Sequence, residues 1–460
     1  MARILFIQLQ QFPYPGLYYI CGTLRSSEHQ YHVLASNRLR SITQRITAFR
    51  PDVIGFPCMT GIHREVLQVA SAIKREFPDC KILLGGIHPT LFPEIIDDPG
   101  VDFICRGEGE QPTKELLDAF DSQCPSFDIP NISYKEKGHV KHNAMRQLVD
   151  PLDGLEFPDY SIYKNIPIIA EDTYPSVFMT RGCPFSCTYC HNSNQREVYK
   201  GKGNYVRSFS IIRIISEVEA TLLHYPKARA VFLGADTLGA NTDWLTELLT
   251  EYRARFSIPY TCLIRPEFIS EEIARLLKVT NCHMIAFGIE SGSERIRRDL
   301  MHRAYSNGRI ISAANLLKKY KIKFRSYNII GFPSESKEEM YSTLELNVRV
   351  KTNFPWCSIY TPYPETKLSE FCLSHGFLDD DFSYDDVPTS FFNDTVLKNV
   401  DRNFILNLHS FFQTMVLLPR FFPIFKHLLR LPNNRLYRLL YKIIYSYVCI
   451  RSENRSGVAL

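Results

Sequence analysis

The stretch Thr180-Arg-Gly-Cys-Pro-Phe-Ser-Cys-Thr-Tyr-Cys-His191 places three cysteines on one loop, directly after a predicted strand. Cys183, Cys187 and Cys190 follow the spacing C-x3-C-x2-C. Three thiolates this close in sequence can bind one corner of an iron–sulfur cube, and with no fourth cysteine nearby one iron stays open to a small ligand. A structural zinc site is the alternative, but it needs four ligands, and His191 is adjacent to Cys190, which strains simultaneous ligation. The loop therefore indicates an iron–sulfur centre.

The composition is that of a folded protein with about two to four domains. The chain has 460 residues, of which 45% are apolar and 22% charged. These values exclude a mostly disordered chain, a collagen-like fibre and a multi-span membrane protein. The net charge of +5 is too small to indicate a nucleic-acid partner, and we expect none. No signal peptide is recognisable before the first strand, so we expect a cytoplasmic protein with reduced thiols.

Short apolar strands alternate with helices on the C-terminal side of the cysteine loop. The strands are predicted at 176–180, 230–233, 260–264, 284–289, 323–330 and 357–361. The helices predicted between them include 211–223, 242–254, 270–278 and 306–320. Six such units indicate an α/β fold of the partial (β/α)6 TIM-type barrel class.

A second α/β region precedes the barrel. Apolar strands are predicted at 3–8, 52–56, 81–84 and 101–105, with helical segments at 64–77 and 113–120. This pattern indicates a doubly wound, Rossmann-like parallel sheet, and ligands of such sheets bind outside the C-terminal strand ends. We expect a domain at 1–125, a turn-rich linker with a small β excursion at 126–170, the barrel at 171–386 and a helical region at 387–460.

Taken together, the cysteine loop and the barrel resemble the radical S-adenosylmethionine (radical SAM) superfamily over about 176–368. The resemblance implies a [4Fe-4S] cluster on Cys183, Cys187 and Cys190, whose open iron binds S-adenosylmethionine. Reductive cleavage of this molecule produces a 5′-deoxyadenosyl radical that abstracts hydrogen from unactivated carbon. The resemblance also implies an external electron donor of the flavodoxin or ferredoxin type and a small-molecule substrate.

Further positions match the family's cofactor-binding motifs. The resemblance places Tyr189 beside the adenine, Asp236 near the methionine amino group, and Glu290 and Ser291 near the ribose. Arg265, at the end of the third strand, is the expected partner of the methionine carboxylate. Alternatives stay open: Asp236 in a turn or at a helix N-cap, Glu290 and Ser291 in a capped turn, and Arg265 on the surface.

The N-terminal domain resembles that of the cobalamin-binding subfamily. We expect cobalamin across the strand ends, with backbone amides of Gly85, Gly86, Gly107 and Gly109 in close approach. His88 is either a contact of the corrin or a satisfied loop histidine. The D-x-H-x-x-G stretch that supplies a cobalt ligand in many cobalamin proteins is absent after the first strand. The domain alternatively serves as a scaffold that has lost the cofactor, or binds another ligand.

The subfamily resemblance implies that methyl transfer through cobalamin to carbon is the expected reaction. An anaerobic oxidative cyclase or a rearrangement enzyme with the same cofactors is the first alternative. A non-catalytic iron–sulfur and corrinoid sensor, or a membrane-binding protein, is the second. No motif names the substrate, although the tail hints at a hydrophobic or lipid-like one.

The C-terminal region is basic and rich in aromatic residues. Residues 401–460 include nine Lys or Arg and two acids, a net charge of +7 against +5 for the whole chain. A helix is predicted at 434–450, with apolar residues on one face and Arg435, Arg438 and Lys442 opposite. Two interpretations stay open: a cap that packs its apolar face on the rest of the protein, or a peripheral contact with the inner membrane face.

Overall fold

The computed structural model describes residues 1–453, so Arg455 of the predicted basic tail lies outside the described residues. The chain divides into two compact units. One comprises Met1–Asp172 and Asn194–Pro226, and the other comprises Thr173–Ser193 and the chain from Lys227 onward. The boundaries expected from the sequence at 125, 170 and 386 stay a proposal.

The first 172 residues alternate strands and helices. In chain order the elements are β1 (Arg3–Gln8), α1 (Pro15–Arg25), β2 (Gln30–Ala35), α2 (Leu39–Phe49), β3 (Val53–Pro57), α3 (His63–Glu76), β4 (Lys81–Gly85), α4 (Ile87–Leu91), β5 (Phe103–Cys105), α5 (Glu110–Asp121), β6 (Ile132–Glu136), β7 (His139–His142) and α6 (Pro167–Ala170).

These strands form one seven-stranded sheet of order β2-β1-β3-β4-β5-β6-β7. Strands β1 to β5 are parallel, while β6 and β7 are antiparallel, so 132–142 belongs to the sheet instead of a linker. Helices α1 and α5 supply one buried apolar layer and α2 and α3 the other. Helices therefore cover both faces of the sheet, which confirms the doubly wound fold. Strands that are buried on both faces need apolar residues throughout, and this is why they appear in the sequence as continuous apolar runs.

Beyond residue 172 the second series of elements begins. In chain order these are β8 (Ser176–Phe178), β9 (Thr180–Arg181), α7 (His191–Val198), β10 (Arg207–Ser208), α8 (Ile211–His224), β11 (Val231–Leu238), α9 (Thr242–Arg255), β12 (Tyr260–Ile264), α10 (Glu271–Val279), β13 (Cys282–Glu290), α11 (Asn307–Lys319), β14 (Lys323–Ile330), α12 (Lys337–Val350), β15 (Phe354–Ile359) and α13 (Lys367–Ser374).

Six strands form the parallel sheet of the second unit, in the order β15-β14-β13-β12-β11-β8. This confirms the partial barrel. Polar side chains cap the helices that follow the strand-end loops and so fix where each helix begins; the capping residues are Asn241, Ser270, Ser306, Ser336 and Thr366. The cysteine loop follows β9, at the C-terminal end of the sheet.

Three helices complete the described chain: α14 (Arg402–Leu417), α15 (Phe422–Leu428) and α16 (Arg435–Glu453). The helical region begins at Arg402, not at 387, because Pro388 and the polar residues after it favour turns. Helix α14 packs on β15, where His409 Nε2 lies 3.2 Å from the carbonyl of Cys357. In residues 1–453, no helix has the length and hydropathy of a membrane span.

Two glycines of α1 differ in what surrounds them, and this gives a matched test of the packing of α1. A Cβ at Gly22 would lie 2.2 Å from the carbonyl oxygen of Phe157, whereas a Cβ at Gly16 would have no atom within 4 Å. We expect Gly22→Ala to lower the free energy of unfolding by about 1–3 kcal/mol, because backbone must move. We expect Gly16→Ala to raise it by about 0.4–1 kcal/mol. Urea unfolding measures both; equal effects would contradict the packing.

Candidate functional site

Thr188 anchors the cysteine loop to two neighbouring segments. Its N–H donates to the carbonyl of Met301 at 3.4 Å, and its hydroxyl donates to the carbonyl of Leu300. Its own carbonyl accepts from the N–H of Leu368 at 3.1 Å. The second half of the loop is therefore fixed to the segments that follow β13 and β15, on the side of a barrel where ligands bind.

The three thiols of the loop lie in a partly buried setting. Cys187 is 8% exposed, and Cys183 and Cys190 are half-buried. Burial raises the pKa of Cys190 to about 11, and the nearby Cys187 and Cys183 add to this rise. The side chains are therefore close enough to act on one another.

The donor chemistry of the loop fits an iron–sulfur cluster, because thiolates are the ligands such clusters use. Within residues 1–453, no three His, Cys, Asp or Glu side chains stand close enough together to hold a metal ion. The cations Arg303 and Arg265 both act electrostatically on Cys187, which suits an anionic centre. The fit therefore rests on donor type and surrounding charge.

Arg303 is a site residue that the sequence analysis missed. Its guanidinium Nη1 donates to Glu290 Oε1 at 2.8 Å and to the Tyr189 hydroxyl at 3.0 Å. Burial alone would lower the pKa of Arg303. The nearby Tyr189, Tyr305 and Glu290 outweigh this effect and raise the pKa well above its usual range. Arg303 therefore stays charged and joins the cysteine loop to the end of β13.

Glu290 ends β13 in a left-handed backbone conformation, with φ of 63°. This conformation is costly for a residue with a side chain and persists where surrounding contacts enforce it. Gly288 leaves the space that the Glu290 side chain occupies, since a Cβ there would lie 2.0 Å from Glu290 Oε1. The backbone strain, the glycine and Arg303 together fix the carboxylate at the strand end.

Ser291 lies in the turn after Glu290 and is fully buried. Its hydroxyl accepts from the N–H of Ser293 at 3.2 Å and lies 3.4 Å from the Thr343 hydroxyl of α12. Glu290 and Ser291 are therefore adjacent in sequence but have different contacts, and the Ser291 hydroxyl faces its own turn and α12.

Arg265 also has protein partners. Its Nε donates to Glu267 Oε1 at 2.6 Å, and its guanidinium lies 3.6 Å from the ring centroid of Phe185 in the cysteine loop. The structure thus brings Arg265 to the loop as expected, but already paired. No sequence motif indicated the Glu267 contact.

Asp236 lies in β11, exposed to solvent and next to Thr237. The Thr237 hydroxyl is 3.9 Å from the sulfur of Cys183. Asp236 therefore lies at the same end of the sheet as the cysteine loop, although its side chain and that of Thr237 alternate along the strand. Together with Tyr189, Glu290 and Arg265, it gives this end of the unit the polar and charged groups that the sequence predicted there.

In the first unit, Gly85 and Gly86 shape the C-terminal end of β4. Gly86 has φ of 101°, and a Cβ there would lie 3.0 Å from the carbonyl oxygen of Cys58. A Cβ at Gly85 would have only the Cβ of Cys105 within 4 Å. The two glycines let the loops after β3 and β4 approach and leave open backbone at the strand end, which fits a large flat ligand such as cobalamin.

The other residues expected at the cobalamin site have protein contacts of their own. His88 is fully buried, stacks on His63 with ring centroids 4.3 Å apart, and has its Nδ1 3.0 Å from the Thr60 hydroxyl. Burial, with His63 second, lowers the pKa of His88 to about 3, so the ring is neutral. These contacts engage the Nδ1 side and one face of the ring, and the role of His88, as a corrin contact or as a satisfied loop histidine, stays a prediction.

Gly107 and Gly109 permit close packing within this unit. A Cβ at Gly107, where φ is 85°, would lie 2.6 Å from the hydroxyl of Tyr199, and one at Gly109 would lie 3.2 Å from Ile20. At the end of β1, the Gln8 amide donates to the carbonyls of Gln10 and Phe12, both at 2.8 Å. The open backbone at the strand ends is thus that of the Gly85–Gly86 turn.

Two family models match separate parts of the chain. The Radical SAM superfamily matches residues 177–346 and the B12 binding domain matches residues 9–117. An uncharacterized methyltransferase of Pyrococcus horikoshii is 30% identical over 371 residues, covering 79% of this chain and 79% of that protein. The chain belongs to the radical SAM superfamily. Its B12-binding domain places it in the cobalamin-binding branch, so the cofactors are a [4Fe-4S] cluster, S-adenosylmethionine and cobalamin.

Further similarities agree with this branch of the radical SAM superfamily. An anaerobic magnesium-protoporphyrin IX monomethyl ester cyclase of Cereibacter sphaeroides is 22% identical over 375 residues, covering 76% of this chain and 58% of that protein. The solved structure of the cobalamin-dependent S-adenosylmethionine radical enzyme OxsB matches with a TM-score of 0.71 and 15% identity. The match covers 98% of this chain and 71% of OxsB and shows a shared fold.

Glu339 of α12 holds the turn after Glu290. Its carboxylate accepts from Ser293 Oγ at 2.8 Å and from Arg295 at 2.8 Å, and it caps α12 through the N–H of Ser336. Arg295, with these hydrogen bonds, holds the pKa of Glu339 at about 2. The charged carboxylate therefore stabilises the folded state above the ordinary pKa of glutamate, and this contribution disappears as the pH falls towards 2.

We expect Glu339→Gln to lower the free energy of unfolding at pH 7 by about 1–3 kcal/mol, because charged hydrogen bonds are lost. The difference from the unchanged protein should persist to about pH 5 and shrink by pH 3. Glu338→Gln is the matched control on the same helix turn and should cost less than about 0.5 kcal/mol. Urea unfolding at the three pH values measures this. A difference that stays constant down to pH 3 would contradict the assigned pKa.

Proposed function

We propose that the protein transfers a methyl group to an unactivated carbon of a small, hydrophobic or lipid-like substrate. The observation that supports this most is the cysteine loop fixed at the strand ends beside the Arg303–Glu290 pair, in a chain that also has a B12-binding domain. The name of the Pyrococcus horikoshii relative gives the same reaction class. The substrate class rests on the apolar C-terminal region.

The proposed roles at the second unit follow from the positions of the side chains. Cys183, Cys187 and Cys190 hold the cluster. Tyr189, whose hydroxyl accepts from Arg303, lies beside the adenine. The remaining roles concern S-adenosylmethionine: Glu290 and Ser291 at the ribose, Asp236 at the amino group and Arg265 at the carboxylate. Two of these roles require the side chain to exchange a protein partner for S-adenosylmethionine. The Ser291 hydroxyl accepts from the N–H of Ser293, and Arg265 is paired with Glu267.

The protein itself contributes orientation and exclusion of water. When bound, the cluster supplies an electron from an external flavodoxin- or ferredoxin-type donor, and cobalamin supplies the methyl-carrying metal. Arg303 and Tyr305 are buried beside the cluster loop and Tyr189 is partly buried there, and burial strengthens the electrostatic contacts among them. Such preorganised groups keep a reactive intermediate away from solvent. In the first unit, the proposed cobalamin contact is the open backbone of Gly85 and Gly86.

An anaerobic cyclase or rearrangement enzyme with the same cofactors is the alternative reaction, and it is favoured by the similarity to the Cereibacter sphaeroides cyclase. The two reactions differ in the fate of the methyl group of S-adenosylmethionine. A non-catalytic sensor would bind the cofactors without cleaving S-adenosylmethionine. We also propose that the enzyme is cytoplasmic and works at the inner membrane face, supported by the exposed apolar and basic residues of its C-terminal region.

Replacing one cluster ligand gives a direct test of the loop. We expect Cys187→Ala to lose most of the bound iron and at least about tenfold of 5′-deoxyadenosine formation, because two thiolates cannot hold the cube. Cys124→Ala, an exposed cysteine of the other unit, is the matched control and should change neither. Iron analysis and anaerobic product assays measure both. A full complement of iron in Cys187→Ala would contradict the ligand assignment.

Methyl-labelled S-adenosylmethionine distinguishes the proposed reaction from its alternatives. We expect anaerobic incubation of loaded enzyme with cell extract and reductant to place the label in one extractable metabolite, detected by mass spectrometry. Formation of 5′-deoxyadenosine without label transfer would indicate the cyclase or rearrangement alternative. Absence of 5′-deoxyadenosine from loaded protein would contradict an enzymatic function.

A further inference from the structure

Helix α16 has three distinct faces. Tyr437, Tyr441 and Val448 form a buried inner face, where the ring of Tyr441 packs at a tilt against the ring of His409 of α14, with the ring centroids 4.7 Å apart. The outer apolar face consists of Leu436, Leu439, Leu440, Ile443 and Tyr447, all exposed. The apolar residues predicted to share one face are therefore not the ones that pack on α14.

Asparagine side chains tie the segment just before α16 to α14. Asn407 Nδ2 donates to the carbonyl of Leu431 at 2.7 Å, and Asn433 Nδ2 donates to Asn407 Oδ1 at 2.8 Å. The Asn433 N–H donates to Asn403 Oδ1 at 2.6 Å. The inner face packs on α14 and these hydrogen bonds fix the chain where α16 begins, so the outer apolar face is the one that points away from α14.

Exposed apolar side chains are concentrated in this region. Of the nineteen large apolar side chains that are exposed in the described chain, ten lie between 417 and 447. Five form the outer apolar face of α16, and the others precede it at Leu417, Leu418, Phe421, Ile424 and Leu431. Scattered exposed apolar residues are ordinary, but a concentration of this kind marks a site of interaction with a protein or a membrane.

The charged residues within this segment are all of one sign. Between 402 and 452 the sequence has no Asp or Glu. Six exposed cations lie among the apolar residues, and none forms an ion pair within residues 1–453: Arg420, Lys426, Arg430, Arg435, Arg438 and Lys442. On α16 the helical angle places Arg435, Arg438 and Lys442 between the inner and outer faces.

We propose that the outer apolar face of α16, with the exposed residues of 417–431, is a binding surface for an anionic lipid bilayer. The apolar side chains would enter the boundary between headgroups and acyl chains, and the basic residues would contact lipid phosphates. A second copy of the chain is a poorer partner for this surface, because the basic residues of the two copies would face and repel one another. The inference gives the proposed membrane location its surface and lipid class; it does not depend on methyl transfer.

Flotation of the full-length, cofactor-loaded protein with lipid vesicles tests this surface. The vesicles are phosphatidylcholine alone or phosphatidylcholine with about one third phosphatidylglycerol. The apolar variant is Leu436→Ser/Leu439→Ser/Ile443→Ser, and its matched control is Ile212→Ser/Leu223→Ser, two exposed apolar residues of α8. The charge variant is Arg435→Gln/Arg438→Gln/Lys442→Gln, and its control is Arg38→Gln/Arg40→Gln/Arg45→Gln.

We expect the unchanged protein to float with anionic vesicles and to be released at high salt. The apolar variant should bind at least about tenfold more weakly. The charge variant should lose roughly fivefold per cation at low salt, and both controls should bind as the unchanged protein does. The unfolding midpoint of each variant should not change, because the replaced side chains are exposed.

Three outcomes would overturn the proposal. The unchanged protein could fail to float with either vesicle, the tail variants could bind as well as their controls, or the apolar variant could change only the oligomeric state, which would identify a second copy as the occupant. Formation of 5′-deoxyadenosine is measured on the same preparations. Loss of that product with retained vesicle binding would contradict the proposed reaction but support the lipid-binding surface.

Discussion

The buried contact between Arg303 and Glu290 is the interaction on which the candidate active site depends. It fixes the carboxylate at the end of β13 in a left-handed backbone conformation and, through the Tyr189 hydroxyl, holds the second half of the cysteine loop. Removing either partner would leave an uncompensated charge in a buried setting, which costs more than the pair itself gains. Loop position, strand end and local charge are therefore set by one guanidinium, and Thr188 adds the backbone anchor.

The sequence allowed prediction of the elements whose signals are local. The ends of β12 and β14 were predicted at 260–264 and 323–330, as the structure has them, because apolar runs between polar turns define buried strands. The cysteine loop was recognisable from spacing alone. Arg303 was not, because its role arises from the turn after β13 folding back towards the loop. The pairing of Arg265 with Glu267 was missed for the same reason: side-chain partners depend on tertiary contacts.

The C-terminal region shows the same division between local and tertiary information. Helical periodicity predicted a helix at 434–450, close to the observed α16, but two of its faces are apolar. Helix α14 decides which of these faces is buried, because its His409 and Phe411 rings contact the rings of Tyr441 and Tyr437. The +7 charge of the tail thus borders a surface that remains apolar and exposed. Similarly, the strands at 132–142 were predicted, but not their addition to the sheet.

The central claim is that the loop of Cys183, Cys187 and Cys190 binds a four-iron cluster with one iron open to S-adenosylmethionine. Electron paramagnetic resonance of the anaerobically reconstituted, reduced protein tests it most directly. We expect the signal of a reduced [4Fe-4S] cluster whose g values change when S-adenosylmethionine is added, because the new ligand binds the open iron. The absence of a cluster signal, or g values that stay the same after the addition, would contradict it.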